Sequence, residues 1–452
     1  MAELDSDDTQ KLILAVTGRH IDPEIERDLR RHAVFYACHA ADNILRSGHV
    51  SHRLLPDSSS GPGVVDDAGP DLKAKTILQL LALCANALRE DHNCSAQDLA
   101  TLAAGKDLFR RDCLGDPDLA LQATKAIYHI VGRITMLFEL RATPAHVPLE
   151  SLTVSSGDGR FPAIIVPPDE YHERPLFELL CRFENLLPQT STAQDSIQPD
   201  SSYALASTAA DSGASPNSQT LIVSCVCADT LCKFGGFSIV WTKSLAAHLC
   251  FDQHSRQLYL FSTPSYCDIS RFEDGVFSKV LDYYFDDRMT VRPTYFTPAQ
   301  YAKEIHASYG LLFADDKRSR KLWRKQVAAE AAAASGGVID PWLEALATGT
   351  NRGGAEKGAK QSLRTTYSLS TDFPIFAMRL RALQNDILSQ QPNEFLALWH
   401  DRRDLLKWSQ FWLILIVSAV GLLLSVLQTA FTLVQTVYVI KEAREGNQTT
   451  ES

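Results

Sequence analysis

Apolar positions in residues 1–150 recur at the three- and four-residue steps of a helix, and from Leu152 the period changes. Asp22-Pro23 gives an N-cap and first helical position for a helix to about Arg46, closed by Gly48, and Asp116-Pro117 repeats the device for a helix to about Leu140. Between them the pattern predicts a helix over 72–89 and a short one opened by Ser95, with a Pro/Gly/Ser loop over 55–70. Residues 152–156 and 161–166 read as a strand pair around Gly157-Asp-Gly159, followed by a helix over 175–186. The Ser/Thr/Ala/Asp/Gln-rich stretch 188–219 reads as a flexible insertion. Strands are expected over 221–227, 237–241 and 257–262, with a short helix over 243–249 capped by Thr242. Helices follow over 297–312 and from Asp316 into the alanine-rich 327–334; 336–360 reads as polar linker, and helices begin near Ile375 and Pro392.

The pattern predicts an α+β, mainly helical chain. Its regions are 1–150 (helical), 151–187 (strand pair and helix), 188–219 (insertion), 220–334 (small central β region with helices), 335–370 (polar linker), 371–407 (juxtamembrane helices), 408–440 (transmembrane anchor) and 441–452 (tail).

The anchor follows from charge. No charged residue lies between Lys407 and Lys441, and 411–427 is almost wholly apolar. Crossing roughly 30 Å of hydrocarbon takes about 20 helical residues, so one span fits and two do not. Trp408, Phe411 and Trp412 at one end and Tyr438 at the other suit the headgroup zone. Basic residues are nearly balanced across the segment, with Arg402, Arg403 and Lys407 against Lys441 and Arg444. The acidic start, Met1-Ala-Glu-Leu-Asp, lacks the marks of a signal peptide, so the body is expected in the cytosol, with the endoplasmic reticulum or secretory pathway as the membrane. Ser418, Gly421, Ser425, Gln428, Thr429, Thr432, Gln435 and Thr436 share one face of the helix. Gly421 and Ser425 allow close approach, and Gln428 and Gln435 seek partners away from lipid, which makes a homo-oligomer one expectation and emergence into the interface the other.

A composition of 45% hydrophobic and 22% charged residues places the body among ordinary globular proteins, and a net charge of −10 argues against a chain-wide nucleic-acid surface. Ten scattered cysteines, several in apolar surroundings, suit buried reduced thiols. Cys225, Cys227 and Cys232 read as buried strand cysteines rather than metal ligands, because no second Cys or His pair stands at finger spacing. His248 with Asp252 and His254 reads as a core or capping group more readily than a site. Phosphate-cradling glycine loops and the Gly-x-Ser-x-Gly elbow are missing, so no catalytic, cofactor or metal residue is assigned. Lys317-Arg-Ser-Arg-Lys-Leu-Trp-Arg-Lys325 sets Lys317, Arg320, Lys321 and Arg324 on one helix face, which reads first as a solvated face and second as a candidate docking face for anionic headgroups or an acidic surface such as 282–287 of this chain.

Two blocks carry a resemblance. Trp241-Thr-Lys-Ser-Leu-Ala-Ala-His248-Leu-Cys-Phe-Asp252, with Leu258-Tyr-Leu-Phe261 and Pro264-Ser-Tyr-Cys267, resembles a block that recurs in proteins of filamentous ascomycete fungi. Leu398-Trp399-His-Asp401-Arg402-Arg403, then Trp408 and Phe411-Trp412 with the apolar helix, resembles the C-terminal module of the same family; Ser409-Gln410 stands where that pattern has Tyr-Thr. The resemblance covers about 100 residues and implies anchoring and a fungal source, without chemistry. The expected function is a membrane-tethered interaction or scaffold protein that meets lipid and a cytosolic protein partner. The alternatives are an oligomeric channel or transporter component lined by the Gln/Thr face, and a membrane-tethered enzyme whose site has no sequence signature.

Overall fold

The computed structural model describes residues 6–21, 26–48, 50–51, 53–56, 70–140, 151–155, 164–167, 171–182, 220–287, 291–335, 337–350, 363–390 and 405–448. It falls into two units, Met1–Gln390 and Gln391–Ser452. The expected insertion 188–219, the Asp22-Pro23 cap, the Gly157-Asp-Gly159 turn and the start of the Pro392 helix lie outside the described residues.

The first unit begins with a helix that the sequence pattern did not reveal, α1 (Ser6–Thr17), whose Leu12, Ala15 and Val16 are buried. Helices α2 (Arg27–Ser47) and α3 (Pro70–Glu90) follow, the first closed by Gly48 in the left-handed conformation. Helix α4 (Ala96–Gly105) opens with a reciprocal cap: Asp98 N donates to Ser95 Oγ (3.1 Å), and Ser95 N donates to the Asp98 carboxylate (3.0 Å). Helix α5 (Pro117–Thr135) starts at Asp116-Pro117 as expected but stops short of Leu140. It ends at Met136, which takes the left-handed conformation with its N–H on Gly132 O, and Phe138 then lies so close that a Cβ at Gly132 would sit 2.9 Å from Phe138 O. Residues 139 and 140 then become a strand.

Among the described residues the β content is three small sheets. Strands β1 (Glu139–Leu140), β2 (Leu152–Ser155) and β3 (Ile164–Val166) form an antiparallel meander, with α6 (Leu176–Arg182) after it. Strand β4 (Thr220–Ile222) is shorter than the expected 221–227. The Gln384 side chain brackets its end, accepting from Ile222 N (2.8 Å) and donating to Thr220 O (3.1 Å). The cysteines after it therefore sit on and beside two short helices, α7 (Val223–Val226) and α8 (Ala228–Lys233), rather than on a strand. Strand β5 (Ser238–Thr242) runs parallel to β7 (Gln257–Phe261), which also pairs antiparallel with β6 (Phe251–Asp252). The expected helix over 243–249 is a run of turns. Its start is tied to the chain after α5, with Leu245 N donating to Met136 O (2.6 Å) and the Ser244 side-chain Oγ to Leu137 O (2.8 Å).

Next come α9 (Ser265–Ser270), α10 (Val276–Asp287), α11 (Pro298–Tyr309), α12 (Lys317–Leu322), α13 (Ala328–Ala334) and α14 (Pro341–Thr348). Wide turns at Gly310–Ala314 and Trp323–Val327 interrupt the helical run from α11 to α13. Helix α14 lies inside the stretch expected as linker. Asp340-Pro341 opens it, with the Asp340 carboxylate accepting from Trp342 N (2.8 Å), and Leu343, Leu346 and Ala347 are buried. Strand β8 (Thr366–Ser368) returns to pair with β4, and α15 (Ala377–Ser389) completes the unit.

Buried tyrosines join these parts at their backbone ends. Tyr36 and Tyr266 donate to Arg133 O (2.9 Å) and Ile134 O (2.6 Å), two of the carbonyls that the end of α5 leaves unpaired. Glu304, wholly buried on α11, does the same for the start of α15: its carboxylate accepts from Ile375 N (2.9 Å), Phe376 N (2.9 Å) and Gln300 Nε2 (2.9 Å).

Burial pushes the Glu304 carboxyl up to about 7, despite the hydrogen bonds from Gln300, Phe376 and Ile375. The native state therefore holds a proton that an unfolded Glu releases at 4.5, and this group's contribution to stability falls as pH rises from 4.5 to about 7. Glu304→Gln turns an N–H toward one of the backbone donors and should cost about 1–3 kcal/mol. Because glutamine does not titrate, that cost should be smaller at about pH 8 than at about pH 5. Denaturant unfolding of the detergent-solubilised chain at the two pH values checks both points.

Candidate functional site

Helix α16 (Leu405–Gln448) forms the described part of the second unit. Its segment Trp412–Ile440 has a mean hydropathy of 2.3 and no buried residue, and Leu413, Leu422, Phe431 and Val439 are all exposed by 60% or more. A 29-residue helix is about 43 Å long, enough to cross the hydrocarbon of a bilayer. Trp412 and Tyr438 lie at its two ends; the side chains of Trp408 and Phe411 are outside the described residues. A Cβ at Gly421 would meet nothing within 4 Å, so the helix is open to a close neighbour there, one turn from Ser425.

The polar stripe divides into two kinds of group. Thr429, Thr432 and Thr436 donate to the carbonyls of Ser425 (2.9 Å), Gln428 (2.9 Å) and Thr432 (2.8 Å), one turn back in each case. Their hydroxyls are thus satisfied within the helix. Gln428 and Gln435 have no such bond to the helix, which leaves their amides as the strongest polar groups on the face.

On the body, the basic face is built by a strict four-residue spacing. Ser319, Trp323, Val327 and Ala331 are buried; Trp323 packs edge-on against Trp241 and Phe313 with ring centroids 6.0 and 5.1 Å away. Steps of four drift by about 40° each around an α-helix, and the wide turn at Trp323–Val327 takes much of that back. The Asp316 carboxylate caps α12 through Ser319 N (2.7 Å), while Ser319 Oγ accepts from Asp229 N (2.9 Å) and fixes the buried side. Lys317, Lys321 and Arg324 point outward as expected, together with Arg318 and Lys325; Arg320 is half-buried. Among the described residues no carboxylate lies within ion-pair distance of these six. The 282–287 stretch does not answer them: Asp282 pairs with Arg292 at 2.5 Å.

Polar clusters elsewhere in the body act as structural ties. Phe261 N donates to His248 Nδ1 (3.2 Å), so the Nε2–H goes to Ser308 Oγ (2.8 Å). Burial holds this imidazole down to about 3, a neutral core histidine. Asp252 lies apart from it, accepting from His254 N (2.9 Å) and Ser255 Oγ (2.7 Å). Burial pushes the Cys232 thiol up to about 11, and Cys227 Sγ sits 3.3 Å from Thr230 Oγ1. Among the described residues no three His, Cys, Asp or Glu side chains are placed to hold a metal ion.

Two further clusters had no sequence signal, because their members are far apart in the chain. His32 Nδ1 meets Asp268 Oδ2 at 2.7 Å, with Trp342 against the imidazole (centroids 4.7 Å) and donating from Nε1 to His306 Nε2 (3.3 Å). Beside them, Asp340 accepts from Ser265 N (2.9 Å) and Ser265 Oγ (2.6 Å). An open groove of about 730 Å³ between α1, α3 and α4 is lined by Asp8, Lys11, Gln79, Glu90 and Lys106. Asp8 is engaged there by Gln79 Nε2 (3.1 Å) and Lys75 (3.4 Å). Two hydroxyls here meet a base, Ser265 against Asp340 and Ser308 against His248, and both are wholly buried.

Comparison with known proteins gave no matching family model, curated protein or solved structure.

Replacing Lys317, Lys321 and Arg324 together by Glu should change folding stability by no more than about 0.5 kcal/mol per site, since the three side chains are exposed and make no ion pair among the described residues. Trp323→Ala, on the opposite side, should cost about 3–5 kcal/mol. Chemical denaturation of the two variants against the parent distinguishes a face kept for outside contacts from one that supports the fold.

Proposed function

We propose that this chain is a membrane-tethered interaction protein: α16 crosses a bilayer once, the body lies on the cytosolic side, and the basic face of α12 is offered to an acidic protein partner. The observation that carries this reading is the segment Trp412–Ile440, without a charged residue and with none of its residues buried. Leaving that much hydrocarbon in water is unfavourable by about 25 cal/mol per Å², whereas a bilayer removes the penalty without another protein. Support for an interaction role comes from the six basic side chains that find no carboxylate among the described residues, while the buried polar groups of the body tie the fold together. The endoplasmic reticulum or another membrane of the secretory pathway is the proposed site, with the tail after Ile440 on the lumenal side.

Truncation after Asp404 should release the protein into the soluble fraction, whereas the full chain resists carbonate extraction; a truncated form that still resists carbonate overturns the anchor. Orientation is read from glycans. A Gly/Ser extension of the tail carrying a distal acceptor site should be glycosylated, while Asn93 in Asn93-Cys-Ser95 should stay unmodified. Modification of Asn93 in place of the tail site would put the body in the lumen.

A further inference from the structure

Along α16 the positions Ser418, Gly421, Ser425, Gln428, Thr432 and Gln435 follow alternating steps of three and four without a break. Their mean spacing of 3.5 residues is shorter than the 3.6 of a lone α-helix. It is the spacing at which two helices wound left-handed around each other stay in contact along their length. All six are small or polar. Apart from Thr429 and Thr436, which flank this row, the other residues of 413–440 are apolar or, at Tyr438, aromatic.

The row offers open hydrogen-bonding groups as well as room. The Thr432 hydroxyl is engaged by Gln428 O (2.9 Å), and a Cβ at Gly421 would meet nothing within 4 Å. Gln428 and Gln435 stand one heptad apart, and neither amide is bonded to its own helix. An amide left without a partner in hydrocarbon is far less favourable than one in water. Depth closes the simplest escape from that penalty. Gln428 lies about 24 Å from Trp412 and about 18 Å from Ile440 along the axis, near the middle of the span. Sliding the helix until this amide reaches water would draw Phe431, Leu433, Val434, Val437, Val439 and Ile440 out of the hydrocarbon with it, and all six are exposed on the lone helix.

We propose that this face docks a second copy of the chain, as a parallel, left-handed pair of α16 helices hydrogen-bonded through Gln428 and Gln435. The pair rests on the reading that α16 crosses the bilayer. A second copy is the occupant that fits, because copies inserted the same way run parallel and bring identical residues to the same depth. The glutamine amide carries both donor and acceptor, so it is complementary to itself across the two-fold axis of such a pair. A different membrane helix would have to present amides at the same two depths. Gly421 and Ser425, in the two turns before Gln428, let the backbones approach closely enough for those amides to meet.

The test uses the full chain in phosphatidylcholine vesicles, with donor and acceptor dyes on separate copies at the C-terminus and flotation of the vesicles reporting insertion. Energy transfer should exceed that of randomly placed chains and fall when unlabelled chain competes. Gln428→Leu combined with Gln435→Leu should weaken association about tenfold or more while flotation stays complete. Gly421→Ile, which the lone helix accommodates, should weaken it too, and Leu423→Ala on the opposite face should leave it unchanged. Oxidation should crosslink Ser425→Cys and Thr432→Cys chains into dimers above the level of the parent, whose cysteines all precede α16, and should not do so for Leu423→Cys or Val437→Cys. Inserted chains without excess transfer, equal association in the double leucine variant, or equal crosslinking from both faces overturn the pair and leave the anchor standing. Chains that fail to float overturn the anchor and the pair with it.

Discussion

A backbone N–H or C=O buried without a partner costs more than most single contacts contribute, and a body made of many short helices has an unusual number of them to satisfy. Each helix end exposes unpaired groups, and the three sheets are too small to absorb them. The chain answers with side chains from far away: Tyr36 and Tyr266 at the end of α5, Glu304 at the start of α15, Asp340 at Ser265, Ser319 at Asp229, and Gln384 around β4. Segments separated by tens to more than a hundred residues are locked in this way. Met1–Gln390 accordingly forms one compact unit.

The same requirement explains what could be seen in the sequence. Local devices were legible: the Asp116-Pro117 start, the Ser95 cap and the Gly48 stop each depend on neighbours within four residues. Strands β5 and β7 were legible from their β-branched and aromatic runs, though their parallel pairing was not, because register between strands is settled by what packs on them. The failures lie where a distant group intervened. Residues 223–227 have strand-like composition, yet they coil into α7 directly after the segment that the Gln384 amide holds; residues 243–249 have a cap and a helical look, yet Leu245 N is bound to Met136 O in the turn after α5. Helix α14 was hidden for another reason, since its eight residues are too few to show a period beside the glycines that flank them.

For the candidate sites the contrast is sharper. The anchor and the basic face are contiguous stretches, so their residues could be named from the sequence, and the finer division of the polar stripe into self-satisfied threonines and open glutamines needed coordinates. The cluster of His32, Asp268 and Trp342 spans more than three hundred residues and carries no spacing signature at all.

The wide turn at Trp323–Val327 has a meaning for how this protein can change over generations. Losing one of residues 324–326 would convert the four-residue step between Trp323 and Val327 into a three-residue step, which a plain α-helix accommodates with the same inner face. Codon deletions there are absorbed by the backbone, while the same loss between Ser319 and Trp323 would rotate everything downstream by about 100° and expose the tryptophan's neighbours. The outer arc of this bulge is therefore a place where the number of positive charges can drift between lineages at little risk to the core beneath it.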